Sequence, residues 1–224
     1  MPTERFYRLA PEKQEIIRSA AFEEFAGVPV EKVSINRIIQ KADISRGSFY
    51  TYFEDKDDLL YYILKDVADQ MRKLLEREVE ESGGDVFVVL ERFFDAAVET
   101  CSREDWFAFG HNVMDYVNPE EALHQVGIMD QSDANLDRYL YEHVDLSGFR
   151  SRNQEDFSVF LEVAAAAMMV SIRKLYGGIP LEKIRSDYGK MLALLKAGVC
   201  SEGQDGRRES RGRVSTMRQE EVQA

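Results

Sequence analysis

The sequence has few of the features that mark secreted, membrane and metal-binding proteins. Its only cysteines are Cys101 and Cys200 among 224 residues, and they provide neither a disulfide framework nor the ligand spacing of a metal site. No apolar run reaches about 18 residues, the length that marks a membrane span, and the N-terminus lacks the basic-then-apolar pattern of a secretory signal. These absences predict a cytoplasmic protein with free thiols and no membrane partner.

The sequence also lacks the motifs of common catalytic sites. It has no glycine-rich phosphate loop and no serine or cysteine nucleophile in a turn motif. His111 and Asp115 lie four residues apart and offer an acid–base pair or two metal ligands, whereas His124 and His143 are too far apart to share a metal. An enzyme that uses His111 and Asp115 is the weaker alternative, and we expect no catalytic residue, no metal and no cofactor.

The negative charge is confined to the middle of the chain. The formal net charge is −12, yet residues 1–56 contain nine basic and nine acidic residues, and residues 201–224 contain five of each. Residues 57–200 therefore hold 15 basic and 27 acidic residues, which is the whole excess. An acidic body lowers non-specific adhesion to nucleic acid, and a neutral head must bind through local geometry. Charge alone is equally compatible with a protein that binds no nucleic acid.

Residues 34–53 predict two short helices joined by a tight turn. Ile35, Ile38 and Ile39 fall on one helical face, and Ser34 precedes them as a capping residue. The first helix is expected to end near residue 41. Asp43 tolerates the left-handed backbone that the turn requires.

The second of these helices separates polar residues from aromatic ones. Ser45 is its expected N-cap, and Phe49 and Phe53 point together into a core. The outer face is thin, with small or basic residues: Arg46, Gly47, Ser48 and Thr51. Such a face fits the major groove of DNA, and donors to flanking phosphates are expected from Tyr50, Tyr52 and Lys56. Two helices of an ordinary bundle would explain the phenylalanines but not the exposed tyrosines.

This arrangement resembles the DNA-binding domain of the TetR family of transcriptional regulators. The likeness consists of ordered blocks: Ile16-Ile17, Ala20-Ala21, Phe22 and Phe25 in a first helix, then the Ser34 helix, Ile44 to Phe53, and Lys56 to Leu60. The resemblance implies phosphate contacts for Ser34, Tyr50, Tyr52 and Lys56, and base contacts for Arg46, Gly47, Ser48 and Thr51, with Ser45 in the same surface. Asp43 departs from the family, which usually has glycine in the turn.

A single long helix is predicted to join the head to the body. Apolar residues recur at intervals of three and four from Lys56 to a break at Ser82-Gly83-Gly84. A tilt at its far end would change the separation of two heads in a dimer.

Large aromatic residues are concentrated in the next two predicted helices, which begin at Asp85 and near Ser102. The second is expected to end at Asn118-Pro119. The candidate residues for a small-molecule pocket are Phe93, Phe94, Trp106, Phe107, His111, Met114 and Tyr116. Aromatic walls with a few polar groups are typical of a ligand pocket and equally of a packed core, so both interpretations stay open.

The C-terminal half predicts helices that bring two subunits together. An irregular helix is expected over residues 120–144, with a kink near Gly127. Small residues in the helices at 156–176 and 181–197 allow close approach, which favours a homodimer through a four-helix interface. The alternative is that these helices only complete the core of one subunit.

Both ends of the chain are expected to lack stable structure. Residues 1–10 show no strong periodicity and predict a frayed leader, although Arg5 and Arg8 offer an alternative role as a basic arm on DNA. Residues 201–224 have little apolar content and are expected to be disordered.

Together these patterns predict an all-α protein. Residues 1–56 would form a three-helix helix-turn-helix DNA-binding domain, and residues 57–200 a helical ligand-binding and dimerisation domain. The resemblance implies a homodimeric repressor that reads a near-palindromic, double-stranded operator and is released by a small apolar or aromatic effector. The alternative is a helical protein-interaction module whose head binds another protein instead of DNA.

Overall fold

The computed structural model describes residues 2–117 and 136–201. The described helices are α1 (Glu4–Tyr7), α2 (Pro11–Gly27), α3 (Ile35–Lys41), α4 (Arg46–Tyr52), α5 (Lys56–Glu81), α6 (Val86–Cys101), α7 (Glu104–Val113), α8 (Leu136–His143), α9 (Gln154–Tyr176) and α10 (Leu181–Val199), with a 3-10 turn at Val30–Lys32. Over these ranges there is no β-strand, only an isolated bridge between Phe149 and Cys200. The predicted all-α fold is confirmed.

The head is built on a compact aromatic and aliphatic core. Helices α2, α3 and α4 surround side chains with no exposed surface, among them Ile17, Phe25, Ile38, Phe49 and Phe53. The same core takes in the first turns of α5 and the inner face of α7. The head is therefore packed against the body through these two helices.

The turn between α3 and α4 adopts the backbone that its sequence predicts. Asp43 has a φ of 48°, in the left-handed region that asparagine and aspartate tolerate better than most residues. The ammonium group of Lys13 donates to the carbonyls of Ala42 at 2.8 Å and Asp43 at 3.0 Å, which fastens the turn to α2. The position of α4 relative to α2 is thus fixed at its start.

The long helix predicted from Lys56 is present as α5. The Asp55 carboxylate caps it by accepting a hydrogen bond from the Asp58 amide at 2.8 Å. The helix ends before Gly83 and Gly84, which have φ angles of 65° and 86°. Its first third packs in the head and its last third in the body, so α5 connects the two cores.

The body packs α6, α8, α9 and α10 around a second core. The ring of Phe94 on α6 stacks on Tyr188 of α10, with centroids 3.8 Å apart. The Tyr188 hydroxyl donates to the Leu90 carbonyl at 3.4 Å, which satisfies a polar group in a buried position. The start of α6 is capped as predicted, because the Asp85 carboxylate accepts from the amides of Phe87 and Val88.

Helix α7 lies between the head and the body and contacts both. On the head side, the Asn112 amide donates to the carbonyls of Phe25 at 3.1 Å and Ala26 at 2.8 Å, at the C-terminal end of α2. On the body side, the ring of Tyr176 lies directly against Gly110, where a β-carbon would overlap it. Both contacts join elements far apart in sequence.

Three local expectations are wrong. Ser34 stands at the N-cap of α3, but its hydroxyl makes no capping hydrogen bond; the Glu24 carboxylate on α2 accepts a hydrogen bond from the Ser34 amide. The leader is not frayed, since it contains α1 and buries Phe6 completely. Helix α7 ends at Val113 and gives way to a turn before residue 118.

Other expectations lie wholly or partly outside the described residues. Of the helix expected at 120–144, Leu136–His143 is described as α8, whereas the kink at Gly127 and His124 fall outside. The tail beyond residue 201 also falls outside. In the described part of the chain, no helix combines the length and apolarity of a bilayer crossing. The same part contains no group of three or more metal-ligating side chains.

Candidate DNA-binding surface

Helix α4 begins at a serine cap that fixes the first exposed residues. The Ser45 hydroxyl accepts a hydrogen bond from the Ser48 amide at 3.0 Å. The hydroxyls of Ser45 and Ser48 also lie 2.8 Å apart and share a hydrogen bond. The predicted cap is confirmed, and it holds both hydroxyls at the exposed N-terminal edge of the helix.

The opposite face of α4 is anchored by aromatic rings. Phe49 and Phe53 have no exposed surface, and their ring centroids lie 5.6 Å apart. Arg46 and Tyr50, by contrast, are exposed to solvent. The solvent side of α4, which carries Arg46, Gly47 and Tyr50, is called the exposed edge below.

Arg46 and Tyr50 form an ordered pair on this edge. The Arg46 guanidinium donates to the Asn36 side-chain oxygen at 2.7 Å and to the Tyr50 hydroxyl at 3.3 Å. Its central carbon lies 5.6 Å from the centroid of the Tyr50 ring, close enough for a cation–π contact. Tyr50 keeps 48% of its surface exposed. The pair is held by α3 but remains open to a ligand.

Gly47 and Thr51 form a flat patch next to this pair. A β-carbon on Gly47 would meet only the Ser45 hydroxyl, at 3.8 Å, so the space outside Gly47 is open. The Thr51 hydroxyl donates to the Gly47 carbonyl at 2.9 Å. The patch allows close approach by a base edge.

Tyr52 has different surroundings from Tyr50. It is half-buried, and its ring meets Phe6 of α1 edge-on with centroids 6.1 Å apart. The predicted pair of exposed tyrosines is therefore one exposed ring and one ring packed against the leader helix.

Lys56 and Ser34, the other two predicted phosphate contacts, each make a hydrogen bond within the head. The Lys56 ammonium donates to the Val30 carbonyl at 2.7 Å, which leaves two of its three donors for other partners. The Ser34 amide donates to the Glu24 carboxylate at 3.0 Å, and the Ser34 hydroxyl makes no capping hydrogen bond.

Glu24 organises the start of α3 from the neighbouring helix. It is 6% exposed, and it accepts hydrogen bonds from the Ser34 amide and from the Arg37 guanidinium at 2.8 Å. Burial opposes ionisation, but the hydrogen bonds from Arg37 and Ser34 outweigh it and lower the pKa of the Glu24 carboxyl. A negative charge is thus used inside the head and kept away from the exposed edge.

Sequence reasoning missed Asn36, Glu24 and Thr3. Asn36 could have been predicted as a contact of α4, because it is the exposed second residue of α3 and this position faces the turn and the next helix. Glu24 stands among the apolar residues of α2, and a carboxylate in that place needs a partner. Thr3 has no local signal, since its partners are 48 residues away.

The seven predicted pocket residues do not surround one cavity. Phe93 and Phe94 are buried in the body core, and Phe107 and Met114 pack partly against it. Trp106 packs instead in the head, with its ring 4.9 Å from that of Phe22. His111 and Tyr116 are exposed.

A surface cleft of about 710 Å³ lies where α2, α3 and α7 meet. Of the seven predicted residues, only Trp106 lines it. The charged side chains of the cleft are already paired with carboxylates: Arg18 with Glu15, Lys41 with Glu23, and Arg103 with Asp105. The cleft therefore offers an aromatic wall but little unpaired charge.

Two family models cover most of the chain. One, described as bacterial regulatory proteins of the tetR family, matches residues 17–63. The other, described as a tetracyclin repressor-like C-terminal domain, matches residues 85–199. The first includes α3 and α4 with the exposed edge, and the second covers the helices of the body.

Curated relatives match part of this chain. The HTH-type transcriptional regulator HbdR of Aromatoleum sp. (strain CIB) is 36% identical over 73 residues, which are 33% of this chain and 32% of HbdR. The chain therefore matches only about a third of the length of that relative.

Solved structures share the fold over most of the chain. SmeT, described as the repressor of the Stenotrophomonas maltophilia multidrug efflux pump SmeDEF, aligns with a TM-score of 0.63 at 18% identity, over 88% of this chain and 94% of SmeT. The flavonoid-responsive regulator FrrA aligns with a TM-score of 0.51 at 17% identity, over 87% of this chain and 100% of FrrA. At these identities the likeness establishes the fold.

Proposed function

The chain belongs to the TetR family of bacterial regulatory proteins, and from this membership we propose that it is a homodimeric repressor released by a small effector. Membership of this family makes the protein a transcriptional regulator with a helix-turn-helix DNA-binding domain, and not an enzyme. The proposal adds the sign of regulation, the operator symmetry and the release.

The observation that carries the proposal is the exposed edge of α4. Arg46 and Tyr50 are solvent-facing, whereas Phe49 and Phe53 fix the helix from behind. In our proposal the base edges are read by Arg46, Gly47, Ser48 and Thr51. Phosphates on either side are contacted by Ser34, Ser45, Tyr50, Tyr52 and Lys56. This division follows the general pattern in which phosphate contacts position a protein and base contacts specify its site.

An aliphatic stripe supports the homodimer. On α9, Val159, Val163 and Val170 are 54%, 46% and 52% exposed, and they lie on one face of the helix. On α10, Leu194 is 74% exposed. Covering this stripe with the same stripe of a second subunit would bury it and form a four-helix interface. Such a dimer would need its heads one DNA turn apart, about 34–36 Å.

The aromatic body supports an apolar or aromatic effector. Phe93, Phe94, Phe107 and Met114 lie together in or against the body core, and an effector that entered there would displace ring contacts. Helices α5 and α7 both run from this region to the head, so a shift in the body would move the two edges relative to each other. The repressor and responsive roles stated for SmeT and FrrA are consistent with this proposal.

Capture of genomic DNA tests the proposal directly. The purified protein is incubated with sheared DNA of its own genome, the bound fragments are sequenced, and the protected region is mapped. We expect a near-palindromic site whose half-sites are about one helical turn apart. Recovery of no enriched fragment by the wild-type chain would overturn the proposal.

Variants of the exposed edge then separate its roles. Tyr50→Ala should weaken binding to all sequences by about 1 kcal/mol or more, the size of a lost phosphate contact, while Arg46→Ala should also relax base preference. Tyr141→Phe is the matched control, because the Tyr141 hydroxyl bonds within the body, to the Arg152 carbonyl. Equal binding by wild type and Tyr50→Ala would contradict the assignment of the edge.

A further inference from the structure

Helix α1 is a rigid extension of the recognition helix rather than a loose leader. Phe6 has no exposed surface, and its ring lies 4.9 Å from that of Phe53 and 5.0 Å from that of Tyr62. These contacts place the leader in the same core that holds α4. A displacement of α1 relative to the head would expose this buried ring.

Thr3 closes the C-terminal end of α4. Its amide donates to the Tyr52 carbonyl at 2.9 Å, and its hydroxyl donates to the Thr51 carbonyl at 2.8 Å. The last carbonyls of a helix have no partner within the helix, so these two hydrogen bonds complete the recognition helix from outside. Helices α1 and α4 are therefore joined by two hydrogen bonds as well as by the contact between the Phe6 and Phe53 rings.

The basic side chains of α1 lie beside the exposed edge of α4. Arg5 and Arg8 are exposed, and they line a common depression with Tyr50 and Thr51. Arg8 is paired with Glu4 at 2.9 Å. Arg5 has no ion-pair partner among the described residues, 2–117 and 136–201.

An unpaired arginine matters for DNA binding because the head has no net positive charge. Residues 1–56 carry nine basic and nine acidic side chains, and Arg18, Arg37 and Lys41 are paired with carboxylates on α2. With Arg8, these make four of the nine cations of the head, so contacts to phosphates rely on the remaining ones. The Arg5 guanidinium, which lies near Tyr50, is one of these cations, and it is carried on α1, which packs against the head.

We propose that α1 is part of the DNA-binding surface, with Arg5 contacting a backbone phosphate beyond the C-terminal end of α4. Arg8 does not contact DNA in this proposal, because it is paired with Glu4. The ligand is the phosphate backbone of duplex DNA, so the contact adds affinity without sequence preference. This inference rests on the proposed function, because it extends the surface that binds the operator.

The test measures how binding depends on salt. Affinity for a fragment captured by the wild-type chain, and for an unrelated duplex, is measured by fluorescence anisotropy over a range of salt concentrations. For Arg5→Ala we expect the slope of log affinity against log salt to become shallower by about 0.9 per subunit, or about 1.8 for a dimer. Affinity should fall by about tenfold on both duplexes, and Arg5→Lys should retain most of it.

Three further variants locate the effect. Glu4→Gln should raise affinity, because it frees Arg8 from its carboxylate. Phe6→Ala should lower both affinity and thermal stability, whereas Arg5→Ala should leave thermal stability unchanged. Arg77→Ala is the control, since Arg77 is an exposed arginine at the body end of α5.

The outcomes separate this inference from the function on which it rests. If the wild-type chain binds DNA and Arg5→Ala shows the same salt slope as the wild type, the role of α1 is overturned and the proposed function as a regulator stands. Loss of affinity for Arg5→Ala together with an equal fall in thermal stability also overturns it, because the residue would then be structural. Absence of any binding by the wild-type chain overturns the proposed function itself.

Discussion

Gly110 provides the sharpest test of how α7 is seated in the body. An ideal β-carbon built on Gly110 would overlap the hydroxyl oxygen and the adjoining ring carbon of Tyr176. The Tyr176 ring also packs against Phe107, with centroids 5.3 Å apart. Gly110→Ala therefore cannot be accommodated by a small movement of one atom.

Two opposing effects set the expected magnitude. Alanine has a helix propensity about 1 kcal/mol better than glycine. Overpacking of a core typically costs about 1–3 kcal/mol, and the overlap with Tyr176 places Gly110→Ala at the upper end of that range. After the gain in helix propensity is subtracted, we expect Gly110→Ala to lower the free energy of unfolding by about 1–2 kcal/mol.

Urea unfolding at one fixed protein concentration measures this change. With a slope of about 2 kcal/mol per molar urea, a loss of 2 kcal/mol lowers the midpoint by about 1 M. Gly189→Ala is the matched control, because Gly189 lies in α10 with open space around its α-carbon. That variant should gain stability from helix propensity.

A second background isolates the Tyr176 contact. In a Tyr176→Leu chain the obstruction is shorter, so Gly110→Ala should become neutral or stabilising there. Tyr176→Phe should rescue little, since the ring carbon remains in place. If Gly110→Ala unfolds at the same or a higher urea concentration than the wild type, the packing of α7 against α9 inferred here is wrong.

The other predictions concern the head, the α7 contact and the subunit interface. Because the pKa of Glu24 is lowered in the folded state, its stabilising contribution is full above its unfolded pKa of about 4.3 and is lost as pH falls through the folded value. Glu24→Gln should thus lose about 1.5–3 kcal/mol at pH 7, with a difference from wild type that shrinks in acid; a pH-independent difference would contradict this. Asn112→Ala removes two hydrogen bonds to the end of α2, and each kcal/mol lost should lower the melting temperature by about 2–4 °C, which calorimetry would show; an unchanged melting temperature would argue against the contact. In the proposed homodimer, Val163→Glu should shift sedimentation from dimer to monomer, whereas Ile16→Glu, at an exposed aliphatic residue of α2, should not; a Val163→Glu dimer would contradict the proposed interface.

Much of the fold was predictable because its signals are local. The caps at Ser45 and Asp85 and the left-handed Asp43 depend on neighbours within a few residues. The α5 helix follows from its apolar repeat and its glycine break. Each of these features is set by backbone chemistry that the surrounding sequence already contains.

The features that were missed depend on residues far apart in sequence. Ser34 is a good capping residue, but its hydroxyl makes no capping bond, and the start of α3 is held by Glu24 of another helix, which accepts from the Ser34 amide and from Arg37. The leader has no periodicity of its own, and its order comes from one buried ring, Phe6, in a core formed by later helices. The aromatics after Asp85 divide between two cores, and no periodicity distinguishes which core each ring enters.

The hydrogen bonds on α4 have a consequence for the kinetics of the proposed operator recognition. Arg46 is held by Asn36 and Tyr50, and the Thr51 hydroxyl is held by the Gly47 carbonyl, through bonds within the protein. Side chains that already occupy one rotamer lose little freedom when they dock. Discrimination among sites should therefore arise mainly from how long a complex survives, and only slightly from how quickly it forms.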